Sequence, residues 1–264
     1  MAAHAPPLEF SRVLVALAAA APNRAALETG IRLAAAVGAR LEGLFVEDTN
    51  LVRLAALPFA SELSALTAAH RTLPPADIER AFRVEAAHLE RLLAQSATRA
   101  RIEWSFQVTR GHLLVEVVAR SADLTVLDAA RRVTGPIRNH EAPPRARGPA
   151  HSVTALFDAS PAAWRGLVAA TRLAQALERE LLILLPQGDA ATAAAAGKQA
   201  RDWLASERLA GLVLAVPAIA EALVTTVRTR RSTLLVLPTA ALPVLGIDLG
   251  TLAAGMPCPL VVVR

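Results

Sequence analysis

Tyrosine is absent from these 264 residues, lysine occurs once at Lys198, and cysteine occurs once at Cys258. A single cysteine excludes an intrachain disulfide and any metal site built on several thiolates. Cys258 stands between Pro257 and Pro259 ahead of an apolar run, the setting of a buried, inert thiol. Aromatics make up 3% of the chain, and Trp104 and Trp164 read as residues that pack in a core rather than stack on a base. The six histidines (His4, His70, His88, His112, His140, His151) form no i, i+4 pair and have no cysteine partner, so their spacing does not suit a metal centre. No G-x-S-x-G elbow is present, and no other catalytic set emerges. An uninterrupted apolar run of about 18 residues, the minimum for a membrane span, is also missing. The best candidate, Ser232 to Val263, is broken by Pro238, Pro243, Pro257 and Pro259. Met1 to Glu9 has neither the basic start nor the apolar stretch of a secretory signal, so the expected location is the cytoplasm.

What is abundant is apolar. Hydrophobic residues make up 54% of the chain and mean hydropathy is +0.40, values that fit a large buried core once a membrane span is set aside. Net charge is +5 and the isoelectric point is near 10.9. The arginines mostly alternate with acids, as in Glu79, Arg80, Arg83, Glu85, Glu90 and Arg91. That is the pattern of a solvated helix face, so nucleic acid is not the expected partner.

The N-terminal third returns 140 residues later. Adding 140 to each position from Arg12 to Val46 aligns Val13 with Val153, Leu27 with Leu167, Arg32 with Arg172, Leu33 with Leu173, Leu41 with Leu181 and Leu44 with Leu184. Most of these are positions that would face a core, so two similar halves are expected. Short apolar runs alternate with helical patterns, which implies parallel strands joined by crossover helices. In the first half the strands fall at 12–17, 41–46, 102–108 and 124–127. Its helices fall at 23–37, near 50–57, at 76–97 and at 112–121. Asn23 is a plausible N-cap, and Gly38 follows the last periodic residue as a stop. In the second half the strands fall at 153–157, 181–185, 212–216, 233–237 and 260–263. The helices between them fall at 161–177, 190–204 and 219–230. The first half has no counterpart to the last strand. It runs instead into a stretch rich in arginine, proline and glycine, which sets the expected division at 1–132, a linker at 133–150, and 151–264.

Several segments together resemble the universal stress protein family in its tandem form. They are Arg24-Ala25-Ala26-Leu27, Phe45-Val46-Glu47-Asp48, Gly111-His112, Ser121 to Leu127, and Pro257-Cys258-Pro259-Leu260-Val261-Val262-Val263. The resemblance spans nearly the whole chain. It implies an α/β fold of two tandem doubly wound units with parallel sheets in the order 3-2-1-4-5, the first unit lacking its fifth strand. Some members of the family bind ATP and others do not. Binders carry an aspartate after the first strand and a G-x2-G-x9-G-[ST] loop after the fourth, whose backbone amides hold the phosphates. Here Ala18 to Ala21 replace that aspartate in the first half, and Ala129, Ala130, Arg131 and Arg132 follow its fourth strand. The second half keeps Asp158 and ends the loop with Gly250 and Thr251, but Leu237 and Ala240 stand at the first two glycine positions, where a Cβ would keep backbone off a phosphate. Asp158 reads either as a nucleotide contact or as the cap, alone or shared with Ser160, of the helix opening at Pro161.

The resemblance thus implies a cytoplasmic stress-response protein of regulatory or adaptor type. It would be no enzyme, would bind no cofactor, and would act on an unidentified protein partner. The alternative is an ATP- or AMP-sensing module using Asp158, Gly250 and Thr251. Arg131, Arg132 and Arg138, with Arg145 and Arg147, form either an anion site or a solvated linker. The family pairs through fifth strands, so Leu260 to Val263 is expected to join a second molecule in a homodimer, unless it packs on the incomplete first half.

Overall fold

The computed structural model describes residues 9–19, 24–57, 61–63, 70–72, 74–128, 152–246 and 248–264. The predicted Asn23 cap, the linker and its arginines Arg131, Arg132, Arg138, Arg145 and Arg147 lie outside these residues.

The first half runs β1 (Arg12–Ala18), α1 (Arg24–Val37), β2 (Arg40–Asp48), α2 (Thr49–Ala55), β3 (Ser61–Leu63), β4 (His70–Thr72), α3 (Pro75–Ala100), β5 (Trp104–Gly111), α4 (Leu113–Val118) and β6 (Leu124–Leu127). The second half runs β7 (Val153–Leu156), α5 (Pro161–Ala176), β8 (Leu181–Pro186), α6 (Ala190–Ser206), β9 (Gly211–Val216), α7 (Ala220–Thr229), β10 (Leu234–Pro238), α8 (Ala241–Val244), α9 (Leu249–Gly255) and β11 (Leu260–Val263). Every predicted strand is present. The short antiparallel pair β3 and β4 and the helices α8 and α9 go beyond the sequence reading.

Each element follows from local chemistry. α1 buries Ala26, Leu27, Gly30, Leu33, Ala34 and Val37 along one face and ends at Gly38, whose φ of +71° suits glycine in a helix-terminating turn. α5 starts at Pro161 with Ser160 as its cap. The central strands are apolar on both faces, as parallel strands covered from both sides must be. Val13, Val15 and Leu17 belong to a core that also takes in buried residues of α1, α3, α5 and α6, while Leu14 and Ala16 belong to the opposite core, which takes in residues of α4, α7, α8 and α9.

The 140-residue offset recurs in the pairing. Val13 stands opposite Leu41 in β1 and β2, and Val153 stands opposite Leu181 in β7 and β8. Likewise Val13 pairs with Leu124 and Val153's neighbour in β10 is Leu234.

The sheet corrects one expectation. Instead of two sheets there is one of nine strands, in the order β5-β2-β1-β6-β11-β10-β7-β8-β9. Each half keeps the local order 3-2-1-4, and both use β11 as the fifth strand. β11 runs parallel to β10, with Val261 opposite Val236, and antiparallel to β6, with Val261 opposite Val126. Both edges of Leu260 to Val263 are therefore filled within the chain, and the strand does not present the open edge from which a homodimer was expected. The physical reason is that, among the described residues, the first half supplies no further strand after β6, whose ladder β11 completes.

The two halves are also joined through Asp123, just before β6. Its carboxylate accepts from Ser11 N–H (2.9 Å), Ser11 Oγ (2.8 Å) and Arg12 N–H (3.1 Å), and from the guanidinium of Arg165 on α5 (2.6 Å). Arg165 also lies over the Phe10 ring, 5.4 Å from its centroid.

Candidate functional site

In doubly wound folds ligands gather beyond the carboxyl ends of the strands. In the second half that edge is formed by the ends of β7 and β10, with the loops leading to α5, α8 and α9.

After β7 the chain turns sharply. Asp158 Oδ1 accepts from Ser160 N–H at 2.9 Å, closing an Asx turn across Ala159, whose φ is +65°. Ser160 Oγ then accepts from Ala163 N–H at 3.2 Å. Ser160 is thus the helix cap and Asp158 the residue that orients it, a division of labour that the reading of Asp158 as a possible sole cap did not resolve.

The loop after β10 is drawn inward. Thr239 donates both its N–H (2.8 Å) and its hydroxyl (2.9 Å) to Val263 O, which fastens the exit of β10 to the end of β11. Leu237, at the first glycine position of the family loop, is fully buried in the core beneath α7 and α8. Ala240, at the second, sits in ordinary helical conformation with φ of −63° and opens α8. Ala241, Leu242 and Leu245 are buried. Three amides of this stretch bond internally: Leu242 N–H donates to Thr239 O, Leu245 N–H to Ala241 O and Gly246 N–H to Pro243 O. Residue 243 is a proline and has no N–H to offer.

Gly250 and Thr251 lie in the first turn of α9, capped by Asp248. Thr251 N–H donates to Asp248 Oδ1 at 2.9 Å, and its hydroxyl donates to Oδ2 at 2.5 Å. The hydroxyl and amide of Thr251 hold the Asp248 carboxyl below its ordinary range. A carboxylate of the chain itself therefore occupies the positive end of α9, where an external anion would otherwise be favoured. A Cβ at Gly250 would come within 2.8 Å of Leu114 Cδ1 on α4, so a larger residue there would require the Leu114 side chain to move. Among the described residues no hydrogen bond joins Asp158 to Gly250 or Thr251, so the structure gives each a separate local task. Asp248, which the sequence reading missed, had a signal in the Asp-Leu-Gly-Thr spacing, with an acid three residues ahead of a threonine at a helix start. Thr239 had no comparable signal, since its acceptor is 24 residues away.

Elsewhere the chemistry is sparse. Cys258 is buried and its thiol is pushed up to about 12 by desolvation, which keeps it protonated. Phe157, Trp164 and Trp203 pack edge to face, with ring centroids 4.9 and 5.6 Å apart, and the Trp203 indole N–H donates to Thr171 Oγ1. Among the described residues no group of three or more His, Cys, Asp or Glu side chains is placed to hold a metal ion. No described helix is long and apolar enough to cross a membrane.

No family model matches the chain, and no curated protein sequence matches it. Solved structures do. One is a universal stress protein from Archaeoglobus fulgidus, 14% identical, covering 96% of each chain with a TM-score of 0.56. Another is a functionally unknown protein from Pseudomonas aeruginosa, 12% identical, covering 96% of this chain and 92% of that one with a TM-score of 0.50. At these identities the likeness concerns architecture alone: the chain has the α/β fold of the Archaeoglobus fulgidus universal stress protein.

Proposed function

We propose that this is a tandem protein of the universal stress family and of the kind that does not bind ATP. It serves as a regulatory or adaptor protein in the cytoplasm, acts through its surfaces, and performs no catalysis. The observation that carries this reading is the filling of the second half's nucleotide loop. α8 stands where a phosphate cradle would open, its Ala241 and Leu242 are buried, and the Leu242 N–H donates to Thr239 O. Asp248 supplies α9 with an anion already. A phosphate brought to this edge would meet the Asp248 carboxylate, and the amides of Leu242 and Thr251 already have acceptors within the chain.

The competing reading, a sensor of ATP or AMP, retains as its family features Asp158 after β7 and Gly250 and Thr251 at the end of the loop. Two measurements separate them. Mass spectrometry of small molecules released on denaturing the purified protein is expected to find no nucleotide. Millimolar Mg-ATP is expected to leave the melting temperature unchanged, whereas a ligand at about 100 times its Kd would add roughly 2.7 kcal/mol to the folding free energy. A melting shift abolished by Asp158→Ala would replace this proposal with the sensor.

A further inference from the structure

The two outer edges of the nine-stranded sheet differ in chemistry. β5, at one end, carries Ser105, Gln107, Thr109 and Arg110, and Arg110 is paired with Glu47 (2.9 Å) and Glu79 (3.2 Å). Charge and polarity of this kind discourage a second chain from adding to an edge. β9, at the other end, reads Gly-Leu-Val-Leu-Ala-Val, with no charge, proline or bulge, and pairs only with β8 among the described residues. Leu212 is 44% exposed, and Gly211 and Ala215 are exposed as well.

The ladder to β8 fixes which backbone groups are left over. Leu181 N–H donates to Ala210 O, and Gln187 N–H donates to Val216 O. Alternation then turns the peptide groups of residues 210, 212, 214 and 216 toward β8. Gly211, Val213 and Ala215 turn both N–H and C=O outward. These three positions are symmetric about Val213. A second copy of β9 laid antiparallel, with Val213 opposite its own copy, puts Gly211 opposite Ala215 and Ala215 opposite Gly211. Every outward donor then meets an outward acceptor. Side chains agree with the same register. Leu212 of one chain faces Leu214 of the other on one side of the sheet, and small residues (Gly211 against Ala215) flank the central valines on the other. The nearest charged residues in sequence are both exposed and of opposite sign, Arg208 before the strand and Glu221 after it. The two-fold brings the Arg208 end of one strand beside the Glu221 end of its partner.

We propose that β9 is a self-association edge, at which two copies of this chain pair antiparallel about a two-fold axis through Val213 and continue one sheet across the dimer. This moves the expected oligomer contact from Leu260–Val263, which is used internally, to the opposite end of the second half. It rests on the sheet edge alone and is independent of what the loops at the strand ends bind.

Light scattering after size exclusion at micromolar concentration should give twice the chain mass of 27.7 kDa. Val213→Pro removes an outward N–H and leaves the β8 ladder intact, so it should give a monomer with native circular dichroism. Leu212→Lys, at an already exposed position, should do the same and carries the test if the proline variant misfolds. Register is read by oxidation. Val213→Cys should form a disulfide-linked dimer. Ala215→Cys should not, because two copies of position 215 lie about 14 Å apart along the strands at ~3.4 Å per residue, beyond the roughly 7 Å that a disulfide bridges. Cys258 is buried and does not compete. A wild-type monomer, a dimer that survives both Leu212→Lys and Val213→Pro, or cross-linking at 215 in preference to 213 would each overturn the proposal.

Discussion

At the scale of single residues, the groups with unusual surroundings are structural anchors. Asp123 shows how this works. Burial pushes its carboxyl up, but the N–H and hydroxyl of Ser11, the N–H of Arg12 and the charge of Arg165 outweigh that and leave it below its ordinary value of 3.8. A carboxyl whose folded value is depressed stabilises the protein above its unfolded value. That contribution is lost as pH falls through the folded value, so the relevant window lies below about pH 4. Asp123→Asn should lower stability at pH 7 and flatten the acid limb of a melting-temperature profile measured from pH 7 down to pH 3. Ser160→Ala should cost about 1 kcal/mol through loss of the α5 cap, measured by urea unfolding. Asp158→Ala should destabilise as well, through the Asx turn, with no change in any nucleotide response.

Among elements, β11 has the greatest consequence. Leu260 is fully buried, with Leu127 opposite it on one side and Leu235 on the other. Leu260→Ala should cost about 2–5 kcal/mol, the range for a large-to-small change in a core. Its signature is distinctive. Hydrogen exchange should show protection falling in β6 and β10 together, since both ladders rest on the same strand; loss confined to β10 would mean that β6 does not depend on β11. Arg264 extends the coupling, donating to Arg120 O (2.6 Å) and Val118 O (2.9 Å) at the end of α4. The helices α8 and α9 were not legible in advance. α8 spans four residues that include Pro243, and α9 spans seven, too short for a helical period to show. Longer elements were legible because α1 and α3 each present one apolar stripe, α5 is a long apolar segment opened by Ser160 and Pro161, and the strands are runs of apolar residues between them.

For the whole molecule, a shared strand and the Asp123 bridge imply cooperativity across the halves. Calorimetry should show one transition, with calorimetric and van't Hoff enthalpies agreeing; two resolved transitions would mean that the halves are energetically separate. The sequence alone determined the α/β class, the alternation of strands and helices and the internal offset of 140 residues, because periodicity and caps are local properties. The register shared by Val13 with Leu41 and Val153 with Leu181 follows from that offset. The absence of glycine at Leu237 and Ala240 was equally legible, and with it the expectation that no phosphate cradle forms. Only the tertiary structure decided where β11 goes, since pairing it within the chain or with another molecule satisfies the same backbone groups. Proximity favours the intramolecular choice: β6 ends with an open ladder in the same molecule, at an effective concentration that a second chain in dilute solution does not match. The same step settled that Thr251 serves Asp248 and that Asp158 serves Ser160, because such partnerships depend on how each loop closes in three dimensions.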